Sequence, residues 1–278
     1  MLKFLKLIAL LLISKAVIAQ PKIATDSLVF TEFQSNILAE KRRVIVHLPL
    51  NYFKETDKKY PVMYVLDGTS QDQHTSDKIA VLAAANLIPE CIVVGILNSK
   101  GNRNRDQTPP FMQTETDDNQ SPLGQADNFL SFIEKELIPK IENTYRFNGY
   151  RTLSGHSRGG LFVLYSLLEK PDLFHARFCY STPVWRFNDL MINKIADFAK
   201  TQKPIKDSFL FLSAGANETD NIVGGFNRLN LLLNTHKIKN LKLSIFLTPL
   251  ADHQQNPFFA TSRALTEWGT YYALQLTK

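Results

Sequence analysis

Through most of the chain, apolar runs of strand length alternate with longer stretches whose apolar positions recur every three or four residues. Strands covered on both faces of a parallel sheet lose their polar alternation, whereas a helix lying on that sheet keeps an apolar stripe. The expected strands are 42–49 (RRVIVHLP), 60–68 (YPVMYVLDG), 91–98 (CIVVGILN), 150–155 (YRTLSG), 176–182 (ARFCYST), 207–215 (DSFLFLSAG) and 241–248 (LKLSIFLT). VMYVL, CIVVGI and FLFLS are uninterrupted and belong at the centre of the sheet; RRVIVHLP alternates more and belongs near an edge. The expected helices are 75–88, 126–145, 159–170, 226–237 and 259–276. Strand and helix in turn predict an α/β fold, with a mainly parallel central sheet flanked by helices in a single domain. Residues 98–124, rich in Pro, Gly, Asn and Asp, read as a loop. A loop this long inside a compact domain is expected to border the functional site.

The start of the chain breaks this pattern. Lys3 and Lys6 precede the apolar run LIALLLI, and Val17 and Ala19 are the small residues that a signal peptidase reads. Residues 1–19 are therefore expected to be a signal peptide cleaved after Ala19, with the domain occupying 20–278 and the mature protein periplasmic or secreted. The run is too short to span a bilayer comfortably, which disfavours an uncleaved anchor, and no stable membrane insertion is expected after cleavage. Cleavage removes Lys3, Lys6 and Lys15 and no acid, so the formal charge of +6 falls to +3. Such a mild excess, scattered along the chain, points to no nucleic-acid partner. The two cysteines, Cys91 and Cys179, lie in separate apolar runs and read as isolated core thiols. No metal-ligand spacing is present, and neither a metal nor a cofactor is expected.

The chemistry concentrates at GHSRGG, residues 155–160, between the strand YRTLS and the helix LFVLYSLLEK. A serine hydroxyl attacks at neutral pH only when a base takes its proton and the backbone exposes its oxygen. The G-x-S-x-G elbow does the second at a sharp strand-to-helix turn, with glycines where side chains would collide with neighbouring elements. Gly155 and Gly159 take those places around Ser157, and the Arg158 backbone N–H becomes an oxyanion donor. The plainer alternative is a glycine-rich turn that merely lets a helix approach a sheet.

Such an elbow takes an acid and then a histidine from later in the chain. Of the six histidines, His253 is the one just past a late strand, in ADHQQNPFF. His47 falls in a strand, His74 in an early loop, His175 and His236 after helices, and His156 is expected to point away from Ser157. For the acid, Glu218 is favoured over Asp220, or over no acid at all; Asp252 is too close to fold back onto its neighbour's ring.

These segments in this order resemble the esterase D-like esterases of the α/β-hydrolase superfamily, and within them bacterial siderophore esterases that open tricatecholate trilactones. The similarity runs through RRVIVHLPLNYFKETDKKYPVMYVLDG, NRNRDQTPP, the segment around GHSRGG, STPVW and ADHQQNP. It implies the α/β-hydrolase fold and a serine carboxylic-ester hydrolase, with Ser157 as nucleophile and His253 as base, working without a cofactor. It also implies that the loop after VMYVLDG supplies a second oxyanion N–H, from Thr69, and that Trp185 in STPVW lines the acyl or aryl pocket. The chain departs from the resemblance at DHQ, where the family often has DHG. In NRNRDQTPP, Arg105 is a candidate for binding an anionic substrate, with internal pairing to Asp106 as the alternative. The substrate is a small-molecule ester; feruloyl or acetyl esters of polysaccharide, acyl transfer to another acceptor, and a non-catalytic binding protein on the same scaffold stay open, as does the oligomeric state.

Overall fold

The computed structural model describes residues 27–113, 123–201 and 203–277. Eight strands form one sheet in the order β1-β2-β4-β3-β5-β6-β7-β8. β1 (Ser27–Ser35), β2 (Glu40–Leu48) and β4 (Ile92–Ile96) pair antiparallel. From β4 onward, β3 (Tyr60–Leu66), β5 (Phe147–His156), β6 (Ala176–Tyr180), β7 (Ser208–Gly215) and β8 (Leu241–Thr248) run parallel. This is the expected α/β architecture.

Two cores explain the unalternating strands. Val62, Tyr64 and Leu66 of β3 face a core shared with α3 (Ala126–Phe132), α4 (Ile138–Thr144), α5 (Arg158–Glu169), α6 (Arg186–Lys200) and α7 (Asp220–Thr235). Met63 and Val65 face the opposite core, against α1 (Asp72–Ala84) and α8 (Gln255–Leu276). With both faces covered, each position of β3 is apolar.

Four differences from the expected elements have physical causes. β1 escapes the alternation rule because its outward positions carry Leu28 and Phe30, which stay exposed while Val29 and Phe33 pack inward. It makes β2 the second strand from the edge. The helix expected over 126–145 is interrupted by a π-helical turn, Ile133–Leu137, just before Pro139, which has no N–H to continue the ladder. α6 begins irregularly, with Phe187, Asn188 and Asp189 all at positive φ, although the spacing of Met191, Ile192, Ile195 and Ala199 is helical. The segment read as loop contains α2 (Arg103–Gln107) and a 3-10 turn at Pro110–Met112. The expected signal peptide lies outside the described residues. Among those described, no helix is long and apolar enough to cross a membrane, and Cys91 and Cys179 are free and buried.

Candidate active site

β5 ends at His156 and α5 begins at Arg158, leaving Ser157 alone at the turn. Its φ of 56° and ψ of −122° lie where a side chain is strained by about 1–3 kcal/mol. Two hydrogen bonds hold it there: the Ser157 N–H donates to the Tyr180 carbonyl at 2.8 Å, and the Ser157 carbonyl accepts from Gly160 N–H at 2.9 Å. The expectation about glycines is met at Gly155, where a Cβ would lie 2.4 Å from the Gly159 carbonyl oxygen. At Gly159 it is corrected, because a Cβ there would have no neighbour closer than 3.5 Å. The second tight glycine is Gly160, 2.0 Å from Thr182 Oγ1 on the same construction.

Arg158 is the first residue of α5, where helical N–H groups have no acceptor within their own helix. Its side chain is turned inward, Nη1 donating to Thr108 Oγ1 at 2.9 Å.

His253 sits in the loop between β8 and α8, and Ser157 and His253 line one cleft of about 390 Å3. Nδ1 of His253 lies 2.6 Å from Oε2 of Glu218, whose side chain is fully buried. A carboxylate only accepts, so Nδ1 carries the hydrogen and Nε2 of the neutral ring keeps its lone pair. Glu218 also accepts from Ser181 Oγ and from the Gly215 N–H, both at 2.6 Å. Burial pushes its pKa up, but the bonds from His253, Ser181 and Gly215 outweigh it and hold the carboxyl below the usual range. Asp220, the other acid considered, opens α7 on the surface. Behind the carboxylate, buried Asn256 donates to Ser181 Oγ at 2.8 Å and Ser213 Oγ at 3.1 Å.

Three residues expected at the site are engaged elsewhere, Arg105 in the internal pairing that was the alternative for it. The Thr69 N–H donates to Asp72 Oδ1 at 2.7 Å, and the other Asp72 oxygen lies 2.8 Å from His47 Nε2, so this amide is committed away from the cleft. Arg105 is bound to Glu40 and Asp106, in a cluster with Arg42, and does not line the cleft. Residues two apart on a helix face opposite ways, and Arg103 is the arginine that lines the cleft. It grips Asp67 at two points, Nε to Oδ1 at 2.7 Å and Nη2 to Oδ2 at 2.8 Å, and Gln107, one turn on, adds a bond to Oδ1 at 3.0 Å. Arg103 and Gln107 four apart is the signal that could have separated the two arginines. Trp185 packs against Gly225 of α7 and the larger core, and it is not among the cleft-lining residues.

His156 was expected to point away, but it lines the cleft. Its Nε2 donates to the His253 carbonyl at 2.8 Å and the two rings are 4.7 Å apart. Burial and the nearby His253 push its pKa down to about 4, so the ring is neutral near pH 7. His74 lies in α1, not in a loop.

The ferri-bacillibactin esterase BesA of Bacillus subtilis is 33% identical over 175 residues, 57% of this chain and 60% of that protein. The chain thus spans less than two thirds of BesA's length. The apo-salmochelin esterase of Escherichia coli is 25% identical over 215 residues, 73% of this chain and 67% of that one. The crystal structure of an IroE-like serine hydrolase from Shewanella oneidensis superposes with a TM-score of 0.78 at 27% identity, covering 87% of this chain and 79% of its own. Residues 35–241 match the family described as "Putative esterase", a span from the end of β1 to the start of β8 that includes Ser157 and Glu218, and the chain belongs to this family.

Proposed function

We propose that the protein is a serine carboxylic-ester hydrolase that works through an acyl-enzyme, with siderophore esters as its substrates. The observation that carries this reading is the strained Ser157 sharing a cleft with His253, whose Nδ1 is held by the ionised Glu218. His253 takes the Ser157 proton as the hydroxyl attacks the ester carbonyl, and Glu218 stabilises the imidazolium. The Arg158 backbone N–H donates to the oxyanion. His253 then protonates the departing alcohol and activates the water that releases the acid. Thr69 joins the oxyanion donors only if its amide leaves Asp72.

The substrate class is supported by the relatives, BesA being a ferri-bacillibactin esterase and the Escherichia coli protein an apo-salmochelin esterase. Export directed by residues 1–19 would have the domain from residue 20 meet such esters outside the cytoplasm.

The test is a competition among a tricatechol trilactone, methyl ferulate, an acetylated xylo-oligosaccharide and p-nitrophenyl butyrate in equimolar mixture. Relative disappearance reports the ratios of kcat/KM. The trilactone is expected to go first. Consumption of p-nitrophenyl butyrate alone would overturn the substrate class and keep the esterase; no consumption at all would overturn the hydrolase reading.

A further inference from the structure

The wall of the cleft carries a feature that the acyl-transfer reading does not use. Among the described residues lining it, Phe258 is the one apolar side chain; its neighbours there are charged, amide, hydroxyl or imidazole groups. Phe258 belongs to the first turn of α8, five residues after His253, and remains 43% exposed. A phenyl ring left open to water in the same cleft as Ser157 and His253 offers a bound molecule an apolar surface.

The ring is braced from behind. The His74 ring packs on it with centroids 4.4 Å apart and planes tilted by 43°. His74 is itself tied through Nε2 to Gln71 Oε1 at 3.0 Å. Burial, with Lys78 nearby, pushes the His74 pKa down to about 4, which leaves a neutral ring against the phenyl. One side of Phe258 is thus in contact with His74 of α1, which limits the positions open to the ring before any ligand arrives.

We infer that Phe258, braced by His74, is a specificity-determining residue that stacks on an aromatic ring carried close to the ester carbonyl, so that the preferred substrates are aryl-bearing esters. This rests on the proposed hydrolase reading and narrows its substrate. It also moves the aryl contact from Trp185, which packs on the larger core, to Phe258, which lines the cleft with Ser157 and His253.

The test uses two esters that differ only in the ring, N-benzoyl-serine methyl ester and N-acetyl-serine methyl ester. The ratio of their kcat/KM values is measured in the full protein and in Phe258→Ala, Phe258→Leu and Phe258→Tyr. The benzoyl preference should fall about tenfold in the Ala and Leu variants and persist in the Tyr variant, since one aromatic contact accounts for roughly that factor. A ratio unchanged in Phe258→Ala, or retained in Phe258→Leu, overturns the inference, because an apolar contact without a ring would then suffice. The same pair is titrated by NMR into Ser157→Ala, with and without Phe258→Ala, so the contact is read as a Kd ratio even if neither ester is hydrolysed. Loss of turnover with an intact benzoyl preference in binding would sink the hydrolase reading alone; no preference in binding would sink this inference alone.

Discussion

Two strand-to-helix turns stand side by side at the carboxyl end of the sheet, β3 to α1 and β5 to α5, on strands that pair directly. Both hold non-glycine residues at positive φ: Asp67 at 57° and Thr69 at 80° in the first, Ser157 at 56° in the second. The backbone device is shared, but its use is opposite. Around Ser157 the strain is anchored through main-chain bonds to Tyr180 and Gly160, which leaves the hydroxyl to the cleft. In the first turn the polar groups are consumed: Asp67 takes Arg103, Asn98 and Gln107, and Asp72 takes Thr69 and His47. Main-chain bonds brace the first turn too, the Gly68 N–H donating to the Ile96 carbonyl at 2.9 Å and the Ser70 and Gln71 N–H groups to the Asp67 carbonyl at 3.2 Å. What separates the two turns is the side chain: left to the cleft at Ser157, and consumed by ion-pair and amide partners at Asp67, which makes that turn a wall.

Replacing Ser157 by Ala is the sharpest way to break the contrast. Hydrolysis should fall by about 10⁴-fold or more, to the level sustained by binding and oxyanion contacts alone, as read by single-turnover ester cleavage. An unchanged rate would show that the β5 turn is no more reactive than its neighbour.

A smaller loss is expected for Glu218→Gln, about 10³-fold in kcat, because an amide leaves the imidazolium without its counter-charge and permits the wrong tautomer. The thermal melting profile should shift little beside that loss. If kcat held, the acid would be a loop fastener, like the carboxylates of the first turn.

The mildest change is Asp67→Asn, which tests the wall. Asn tolerates positive φ as well as Asp, so strain does not confound the result. Removing the charge leaves Arg103 without its partner, at a cost of about 2 kcal/mol in urea unfolding at pH 7, discounted because Arg103 is about a third exposed. Burial raises the Asp67 pKa, but the bonds from Arg103, Asn98 and Gln107 outweigh it and hold the native value below the usual one. The stabilisation is therefore complete above the unfolded value of about 3.9 and is lost as the pH falls through the depressed native value. The gap between wild type and variant should be flat above about pH 4 and close below it. A gap that widened on acidification would contradict the pairing.

The fold was readable to the extent that burial wrote it into local spacing. β3, β4 and β7 are buried at every position because both faces are covered, which leaves the unbroken apolar runs VMYVL, IVV and FLFL, and the elbow around Ser157 announces itself by composition. β1 was not, since Leu28 and Phe30 on its outer side mask the alternation. The glycine argument succeeded at Gly155 and missed Gly160, whose crowding comes from Thr182, a residue beyond the next strand. No local pattern carries that contact.

The amino-acid sequence by itself determined the succession of elements, the α/β class and the strand-Ser157-helix turn, because these depend on periodicity and on residues adjacent in the chain. It narrowed the acid to Glu218, Asp220 or none. Only the tertiary structure decided which carboxylate meets His253, which of Arg103 and Arg105 reaches the cleft, that Thr69 turns its amide to Asp72, and that Phe258 and not Trp185 lines the cleft with Ser157. The choices between Glu218 and Asp220 and between Arg103 and Arg105 are between neighbours two residues apart, and the other two turn on where whole loops and helices pack. Loop conformation and helix phase settle such choices, and both are set by packing against elements distant in sequence.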